Sequence, residues 1–133
     1  MKIIVDTNVV ISGVFFGGAP RRILEAIVQS RVTACATTEI VAEYEDVVEE
    51  MISRKQGHLS RNILLPLIQN MNIVPAVSNV KVCRDPDDDK FINCAKDSGS
   101  VYIVSGDKDL LVIETFEGIK IVTAAEFCAQ YLS

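Results

Sequence analysis

Acidic side chains follow two apolar runs of this 133-residue sequence, at the point where each run ends. Asp6 comes directly after Lys2–Val5, and Asp107 comes shortly after residues 101–104. Both runs are short and rich in Val, Ile or Tyr, which predicts buried strands. In open parallel sheets, ligands bind beyond the carboxyl ends of the strands, near the point where the strand order reverses. We therefore expect these two aspartates to meet at one edge of a sheet.

Two further acids lie near the predicted starts of helices. Glu43 belongs to a helix predicted over residues 39–53, and Asp89 lies near the start of one that ends near Asp97 and is closed by Gly99. Helix starts in such a fold face the same edge as the strand ends, so four carboxylates can converge in one pocket. Carboxylates that close together repel one another strongly unless a cation neutralises them.

The type of ligand indicates which cation and which chemistry. Oxygen-only ligands suit Mg²⁺ or Mn²⁺ rather than zinc. Such a metal lowers the pKa of water and stabilises charge on a phosphate, which is the chemistry of phosphodiester hydrolysis. No histidine is required, and His58 lies in a polar turn where we expect it to be exposed. The residues alone predict an acidic site at the edge of an α/β sheet and leave the substrate open.

Each acid also has a simpler interpretation as a capping or solvated residue. Asp6 could cap a turn, and Glu43 could lie on a solvated helix face. Asp107 and Asp109 could cap the helix after their strand. A charge run near Asp89 would hold one or two ligands, and its other members would cap the helix or face solvent. This run consists of Asp85, Asp87, Asp88 and Asp89.

Strand and helix patterns alternate along the chain, which predicts a parallel sheet with helices on both faces. Strands are predicted at Lys2–Val5 and at residues 32–36, 101–104 and 119–122, with an extended stretch at 73–82. Further helices are predicted from Pro20 to Val28 and at residues 61–70 and 124–131, with Thr37 or Thr38 and Thr123 as caps. Residues 9–16 are apolar, and we expect them to offer an exposed contact for a dimer.

The charge balance bears on possible partners. The formal net charge is −5, whereas proteins that bind nucleic acid through its backbone usually present a basic surface. This objection weakens if the acids bind cations that then face the phosphate. The basic residues of the first half could form a local patch or a solvated helix face. They are Arg21, Arg22, Arg31, Arg54, Lys55 and Arg61.

The four cysteines form no CxxC pair, which argues against a zinc site. They are Cys35, Cys83, Cys94 and Cys128, and each is expected to be a small buried hydrophobe. The sequence has no signal peptide and no apolar stretch long enough to span a membrane, so we expect a cytoplasmic protein. Its length suits one domain spanning residues 1–133.

Four segments resemble, in order, the four motifs of PIN domains, and the likeness covers nearly the whole chain. They are IIVDTNV at residues 3–9, TEIVAEY at 38–44, RDPDDDKFI at 84–92 and SGDKDLL at 105–111. The motif acids fall on Asp6, Glu43, Asp89 and Asp107. The resemblance implies a PIN-like three-layer α/β/α fold with a central parallel sheet of about five strands. It also implies cleavage of single-stranded RNA that depends on Mg²⁺ or Mn²⁺.

The resemblance further implies roles for individual residues. The four motif acids would form the metal site and the catalytic set. Thr7 or Asn8 would hold the first aspartate, and Ser105 could do the same. Asp109 would support the site, and Asp88 or Asp85 could assist or replace the third motif acid.

Many small prokaryotic proteins of this kind resemble the toxin of a toxin–antitoxin pair, similar to VapC proteins. The resemblance therefore implies a homodimer and a protein antitoxin as partners, besides RNA. Two alternatives remain open: an inactive PIN-like module for binding or assembly, and a phosphatase with Asp6 as nucleophile. The phosphatase is disfavoured, because such enzymes generally have a second aspartate two residues later, where this chain has Asn8.

Overall fold

The short apolar runs form a six-stranded sheet in the computed structural model, which describes residues 1–55 and 61–132. The strands are β1 (Lys2–Val5), β2 (Thr33–Ala36), β3 (Asn72–Ile73), β4 (Tyr102–Val104), β5 (Thr115–Phe116) and β6 (Ile119–Val122). Their spatial order is β3-β2-β1-β4-β6-β5, and every adjacent pair is parallel except β5 with β6. The predicted three-layer α/β/α fold around a mainly parallel sheet is confirmed.

The sheet has one strand more than the sequence suggested, because β5 adds an antiparallel edge of only two residues. Glu117 and Gly118 join it to β6, and both have positive φ, 48° and 86°. Two successive positive φ angles are typical of the tight turns that connect hairpin strands. A two-residue strand is too short for a period-two pattern to reveal it.

Seven helices flank the sheet in the part of the chain that the structure describes. They are α1 (Thr7–Phe15), α2 (Gly18–Val28), α3 (Thr38–Lys55), α4 (Leu64–Gln69), α5 (Asp89–Ser98), α6 (Lys108–Leu111) and α7 (Ala124–Tyr131). Thr37 caps α3 by accepting a hydrogen bond from the Ile40 amide at 3.2 Å. Thr123 and Glu126 form a reciprocal capping box at the start of α7. Gly99 ends α5 in the left-handed conformation, with a φ of 71°.

The strand order reverses between β1 and β4, which run side by side in parallel. Val5 lies opposite Val104 at the carboxyl ends of the two strands. The Asp6 amide continues the ladder by donating to the Val104 carbonyl at 2.9 Å. The residues that follow these two strands therefore start at the same edge of the sheet, which is where ligands bind in open α/β folds.

Residues 9–16 lie largely in α1 and in the core, so the expectation of an exposed dimer contact there is wrong. Val10 is fully buried, and within this stretch only Phe16 is exposed. Helix α1 packs tightly on α2 at Gly13, where an added Cβ would lie 2.6 Å from Leu24 Cδ1 and 2.9 Å from the Pro20 carbonyl oxygen. The apolar run is continuous because this helix is covered on most sides.

Two predicted segments have different bounds in the structure. The helix predicted over residues 61–70 is shorter, and α4 begins only at Leu64. Pro66 lies in its first turn, where a proline is tolerated. The stretch predicted as extended over residues 73–82 pairs with the sheet only at its start, through β3 and the Val74 amide, which donates to the Ala36 carbonyl at 2.9 Å. The polar turn predicted at His58, with Gly57 and Ser60 beside it, falls outside the described residues.

Side chains of α5 hold most of that stretch in place of strand pairing. Asp89, Asn93 and Asp97 are spaced four residues apart and share one face of α5. Their oxygens accept hydrogen bonds of 2.7–3.0 Å from backbone amides of residues 77–83, which we name the tethered segment. These bonds satisfy amides that would otherwise have paired with a neighbouring strand.

Candidate active site

Asp6 lies at the end of β1 and is almost completely buried. It occupies the position before α1, yet its carboxylate makes no capping hydrogen bond. Instead, its Oδ2 accepts a hydrogen bond from Ser105 Oγ at 2.7 Å. Ser105 Oγ also accepts the Asp107 amide at 2.9 Å. One serine therefore connects the acids that follow β1 and β4.

The surroundings of Asp6 disfavour its charged form. Burial raises the pKa of Asp6, and the hydrogen bond from Ser105 opposes this rise. The negative charges of Asp107 and Glu43 raise the pKa further. Asp107 and Glu43 are therefore close enough to Asp6 for their charges to affect its pKa, as the predicted convergence of these three acids requires.

Glu43 on α3 is held at both carboxylate oxygens. The Thr7 hydroxyl donates a hydrogen bond to Oε2, and Lys90 Nζ lies 2.7 Å from Oε1. The next residue, Tyr44, is fully buried and donates a hydrogen bond to the Val5 carbonyl. This contact fastens α3 to the end of β1, so that Glu43 faces the same edge of the sheet as the acids after the strands.

Asp107 both caps a helix and belongs to an acidic cluster. Its Oδ1 accepts the Asp109 amide at 2.9 Å at the start of α6, so the capping interpretation holds for this oxygen. Carboxylate oxygens of Asp88, Asp107 and Asp109 all lie within 4.8 Å of one another. Arg84 Nε lies 3.3 Å from Asp109 Oδ1 on the solvent side of the cluster. The cluster thus draws acids from two separate loops.

Asp88 and Asp89 are adjacent in sequence but face different parts of the structure. Asp89 Oδ1 accepts the amides of Val82 and Cys83 in the tethered segment, at 3.0 and 2.8 Å. Burial alone would raise the pKa of Asp89, but these two amides outweigh it and lower the pKa. Asp88 instead lies against Asp107, and Asp85 caps the short 3₁₀ turn before it.

The buried carboxylate of Asp88 is incompletely satisfied. Its Oδ2 has no hydrogen-bond partner among the residues that the structure describes. Burial raises the pKa of Asp88 to about 7, and the charges of Asp107 and Asp6 contribute to this rise. A buried acceptor without a donor is costly, so the oxygen fits a site that a cation completes.

The acid cleft is a cavity of about 210 Å³ at the carboxyl edge of β1 and β4. Six acids line it, namely Asp6, Glu43, Asp85, Asp87, Asp88 and Asp107. Asp89 lines a different cavity. The structure therefore brings together three of the four predicted motif acids, with Asp88 beside them at the position expected for Asp89.

Two further cavities adjoin the acid cleft on opposite sides. A larger one of about 460 Å³ lies along the tethered segment and shares Asp87 and Lys90 with the cleft. A cavity of about 220 Å³ lies between α1 and the start of α7 and shares Asn8 with it. We name these three neighbouring cavities, which share lining residues with the acid cleft, the trough.

The predicted supporting residues occupy the site in altered roles. Ser105 holds Asp6, as the resemblance suggested, and Asp109 joins the acidic cluster. The Thr7 hydroxyl contacts Glu43 rather than the first aspartate, and Thr7 reaches Asp6 only through its backbone amide. Asn8 is exposed and lines the cleft.

Sequence reasoning gave no role to Lys90. The Lys90 ammonium contacts the Glu43 carboxylate. Burial alone would lower the pKa of Lys90, but the hydrogen bond to Glu43 and the negative charge of Glu43 outweigh burial and raise this pKa. The available signal was a lysine placed directly between a run of aspartates and the apolar residues of a helix.

The arginines of the first half form contacts of their own rather than an evident binding patch. Arg21 donates to the Gly13 and Val14 carbonyls, and Arg22 donates to the Leu132 carbonyl. Arg54 and Arg61 pair with glutamates, and Arg31 donates to the side chain of Gln29. These partners favour the interpretation as solvated helix and surface residues.

The four cysteines are free thiols, and the expected burial holds for three of them. Cys35, Cys94 and Cys128 are buried, whereas Cys83 is only partly buried. Burial raises the pKa of Cys83 to about 12, with a further contribution from Asp89, which disfavours the thiolate form of this side chain.

The residues around the cleft fit a hard divalent cation. Every negatively charged side chain among them is a carboxylate. No cysteine or histidine belongs to the acidic cluster found in the described part of the chain. Carboxylate oxygens without nitrogen or sulfur ligands favour Mg²⁺ or Mn²⁺ over zinc. The Asp88 oxygen that lacks a hydrogen-bond partner is a second observation that fits a cation at this position.

Comparison with known proteins gives a consistent result. The sequence model of the PIN domain matches residues 2–109. Uncharacterized protein MJ1680 of Methanocaldococcus jannaschii is 33% identical over 115 residues, which cover 84% of this chain and 74% of that protein. No solved structure matches the chain. None of the described helices has the length and apolar character needed to cross a membrane.

Proposed function

Because the chain belongs to the PIN-domain family, whose fold is nuclease-like, we propose that it is a metal-dependent endoribonuclease. The observation that carries this proposal is the buried oxygen of Asp88, which has no hydrogen-bond partner among the described residues and lies in a cleft lined by six acids. Like charges at this density destabilise a fold unless a cation compensates them. A module without catalytic function would have no need for them.

The geometry supports a revised assignment of the metal ligands. Asp6, Asp88 and Asp107 line the acid cleft and would hold the cation, with Glu43 as a fourth ligand and Asp109 as a supporting one. Asp89 has a structural role in this proposal, because its oxygen is engaged by backbone amides. The metal is Mg²⁺ or Mn²⁺.

The remaining polar residues orient the acids. The Ser105 hydroxyl fixes one rotamer of Asp6, and the Thr7 hydroxyl does the same for Glu43. Side chains that are already held in place lose little conformational entropy when they bind a cation, which favours a defined coordination geometry. A cation held by these acids would supply water of lowered pKa and would compensate the charge that develops on the phosphate during hydrolysis.

The trough supports a single-stranded polynucleotide as the substrate. Its two outer cavities flank the acids, so a chain could extend past the cleft in both directions and be cut internally. A net charge of −5 gives the protein no general attraction for a polyanion. Cleavage should therefore depend on the cation for binding as well as for chemistry.

We further propose that this nuclease is the toxin of a toxin–antitoxin pair, acting in the cytoplasm as a homodimer. The support is the likeness of its four motifs to small prokaryotic PIN proteins. A dimer would need a surface other than residues 9–16, since these are buried within the chain. Size-exclusion chromatography with light scattering would measure the oligomeric state.

Cleavage of a mixed pool of single-stranded RNA tests the activity. We expect cleavage with Mg²⁺ or Mn²⁺, none with EDTA, and a loss of at least about a hundredfold in Asp6→Asn. Asp46→Asn is the matched control, because it removes an equivalent charge from an exposed position on α3. Full activity in Asp6→Asn would refute the proposal.

The alternative of an inactive module makes a different prediction. A folded protein that neither cuts RNA nor gains thermal stability with millimolar Mn²⁺ would favour a binding or assembly role. Mn²⁺ binding without cleavage would instead indicate a nuclease of narrow specificity, and the pool would then be replaced by structured RNAs.

A further inference from the structure

Lys90 has an unusual environment for a lysine near a protein surface. Its side chain is only 14% exposed, and its ammonium lies 2.7 Å from Glu43 Oε1. The same ammonium donates to the Asp87 carbonyl at 2.9 Å and lies 5.3 Å from the centre of the Phe91 ring. Three contacts of this kind fix the ammonium in one place instead of leaving it in solvent.

Lys90 is also the one base among the described side chains that line the acid cleft. Arg84, by contrast, pairs with Asp109 and is largely exposed. Lys90 lines the larger cavity as well, so it stands on the wall between the acids and one arm of the trough. The positive charge of Lys90 thus compensates the Glu43 carboxylate, which a divalent cation would otherwise bind.

We propose that Lys90 is the resident counter-ion of Glu43 and competes with the divalent cation for this carboxylate. The inference rests on the proposed function, because it requires that the acid cleft binds a metal. Cation binding exchanges the Lys90 contact for a metal contact at Glu43. The released ammonium then faces the larger cavity, where the phosphate backbone of a bound RNA would lie.

The competition has a measurable size. A charge-assisted hydrogen bond stabilises its two partners more than a neutral one does. Removal of the Lys90–Glu43 contact, which competes with the cation, should therefore tighten cation binding roughly tenfold. The alternative, in which Lys90 only preorganises Glu43 for the metal, predicts the opposite sign. The direction of the change therefore separates the two roles.

Isothermal titration of the metal-free protein with Mn²⁺ provides the test. We expect Lys90→Met to bind Mn²⁺ roughly tenfold more tightly than the wild type, and Lys90→Arg, which keeps the charge, to stay within about twofold. Lys81→Met is the matched control: this exposed lysine lines the same larger cavity but makes no contact with Glu43. Its affinity should equal that of the wild type.

A second measurement uses the wild-type chain and does not depend on whether Lys90→Met folds. Brief acetylation with acetic anhydride, quantified by mass spectrometry, reports how accessible each ammonium is. We expect Lys90 to react several-fold faster when Mn²⁺ is bound than in EDTA, with Lys81 as the internal reference. An unchanged or slower reaction of Lys90 would overturn the inference.

The outcomes distinguish this inference from the proposed function. Mn²⁺ binding to the wild type with equal or weaker binding to Lys90→Met overturns the role of Lys90 alone. No Mn²⁺ binding by any of the proteins overturns both the metal-dependent function and the competition. Tighter binding by Lys90→Met, with Lys81→Met unchanged, supports both.

Discussion

At the scale of single residues, the site depends on which of two adjacent aspartates faces the acids. Asp88 and Asp89 follow one another at the start of α5, and successive residues of a helix point about 100° apart. Asp88 is thereby turned into the acid cleft, and Asp89 is turned toward the tethered segment. The spacing of residues within a motif does not show which of the two faces the acid cleft, because that depends on how the helix is rotated about its axis.

Alanine substitutions at these two positions should have opposite effects. Asp89→Ala leaves two amides without their acceptor, and we expect a loss of about 1–3 kcal/mol in the free energy of unfolding with Mn²⁺ binding retained. Asp88→Ala removes a buried, unpartnered charge, so the metal-free protein should be at least as stable as the wild type while Mn²⁺ binding is lost. Thermal denaturation with and without Mn²⁺ measures both. Equal losses of Mn²⁺ binding would contradict the assignment.

At the scale of elements, α5 has a second task besides packing on the sheet. Asp97 accepts the amides of Val77 and Ser78 and the Ser78 hydroxyl, at 2.6–3.0 Å. The tethered segment forms a wall of the larger cavity, so these side chains define the width of that arm of the trough. Polar side chains on one face of α5 thus accept the backbone hydrogen bonds that a neighbouring strand accepts elsewhere in the sheet.

The tether at Asp97 should depend on pH. Burial alone would raise the pKa of Asp97, but the bonds from Ser78 and Val77 outweigh it and lower the pKa from 3.8. Since the folded pKa is the lower one, the carboxylate stabilises the fold above the unfolded value and loses this effect as pH falls through the folded value.

Asp97→Ala should therefore lower the urea midpoint at pH 7, and its deficit relative to the wild type should shrink as the pH falls below 3.8. Urea denaturation of both proteins between pH 2.5 and 7 measures this difference. A deficit that is constant over the whole range would show that the charge of Asp97 does not matter.

The contact between α1 and α2 should tolerate no added methyl group. A Cβ at Gly13 would lie 2.9 Å from the Pro20 carbonyl oxygen, which belongs to the backbone and cannot rotate away. We expect Gly13→Ala to destabilise the protein by about 1–3 kcal/mol, although alanine is the better helix former. Gly106→Ala is the control, since nothing lies within 4 Å of the added atom. Thermal denaturation compares them, and equal stability of both variants would contradict tight packing at Gly13.

At the scale of the whole molecule, the protein concentrates much of its acidity at one edge of the sheet. A cation bound only by the folded state stabilises it by about 2.7 kcal/mol at roughly one hundred times its dissociation constant. We expect Mn²⁺ to raise the melting temperature by several degrees, and EDTA to reverse the effect. Asp6→Asn should lose most of this gain, whereas Asp46→Asn should keep it.

The sequence by itself determined which residues stand at the ends of β1 and β4. Short apolar runs followed by Asp6 and by Ser105-Gly106-Asp107 predict strands with a polar edge, and this pattern is local. The cap at Thr123 was equally readable, and the cap of α3 was narrowed to Thr37 or Thr38, because a cap depends only on residues within one turn. The parallel sheet followed from the alternation of strands and helices.

Only the tertiary structure decided how the other parts meet. The rotation of α5 selects Asp88 over Asp89, and the approach of α5 to α3 places Lys90 beside Glu43. Burial of α1 also depends on α2 and α3, which no local period could indicate. These outcomes depend on packing between segments distant in the chain, whereas the period of a strand or helix is set by its own backbone.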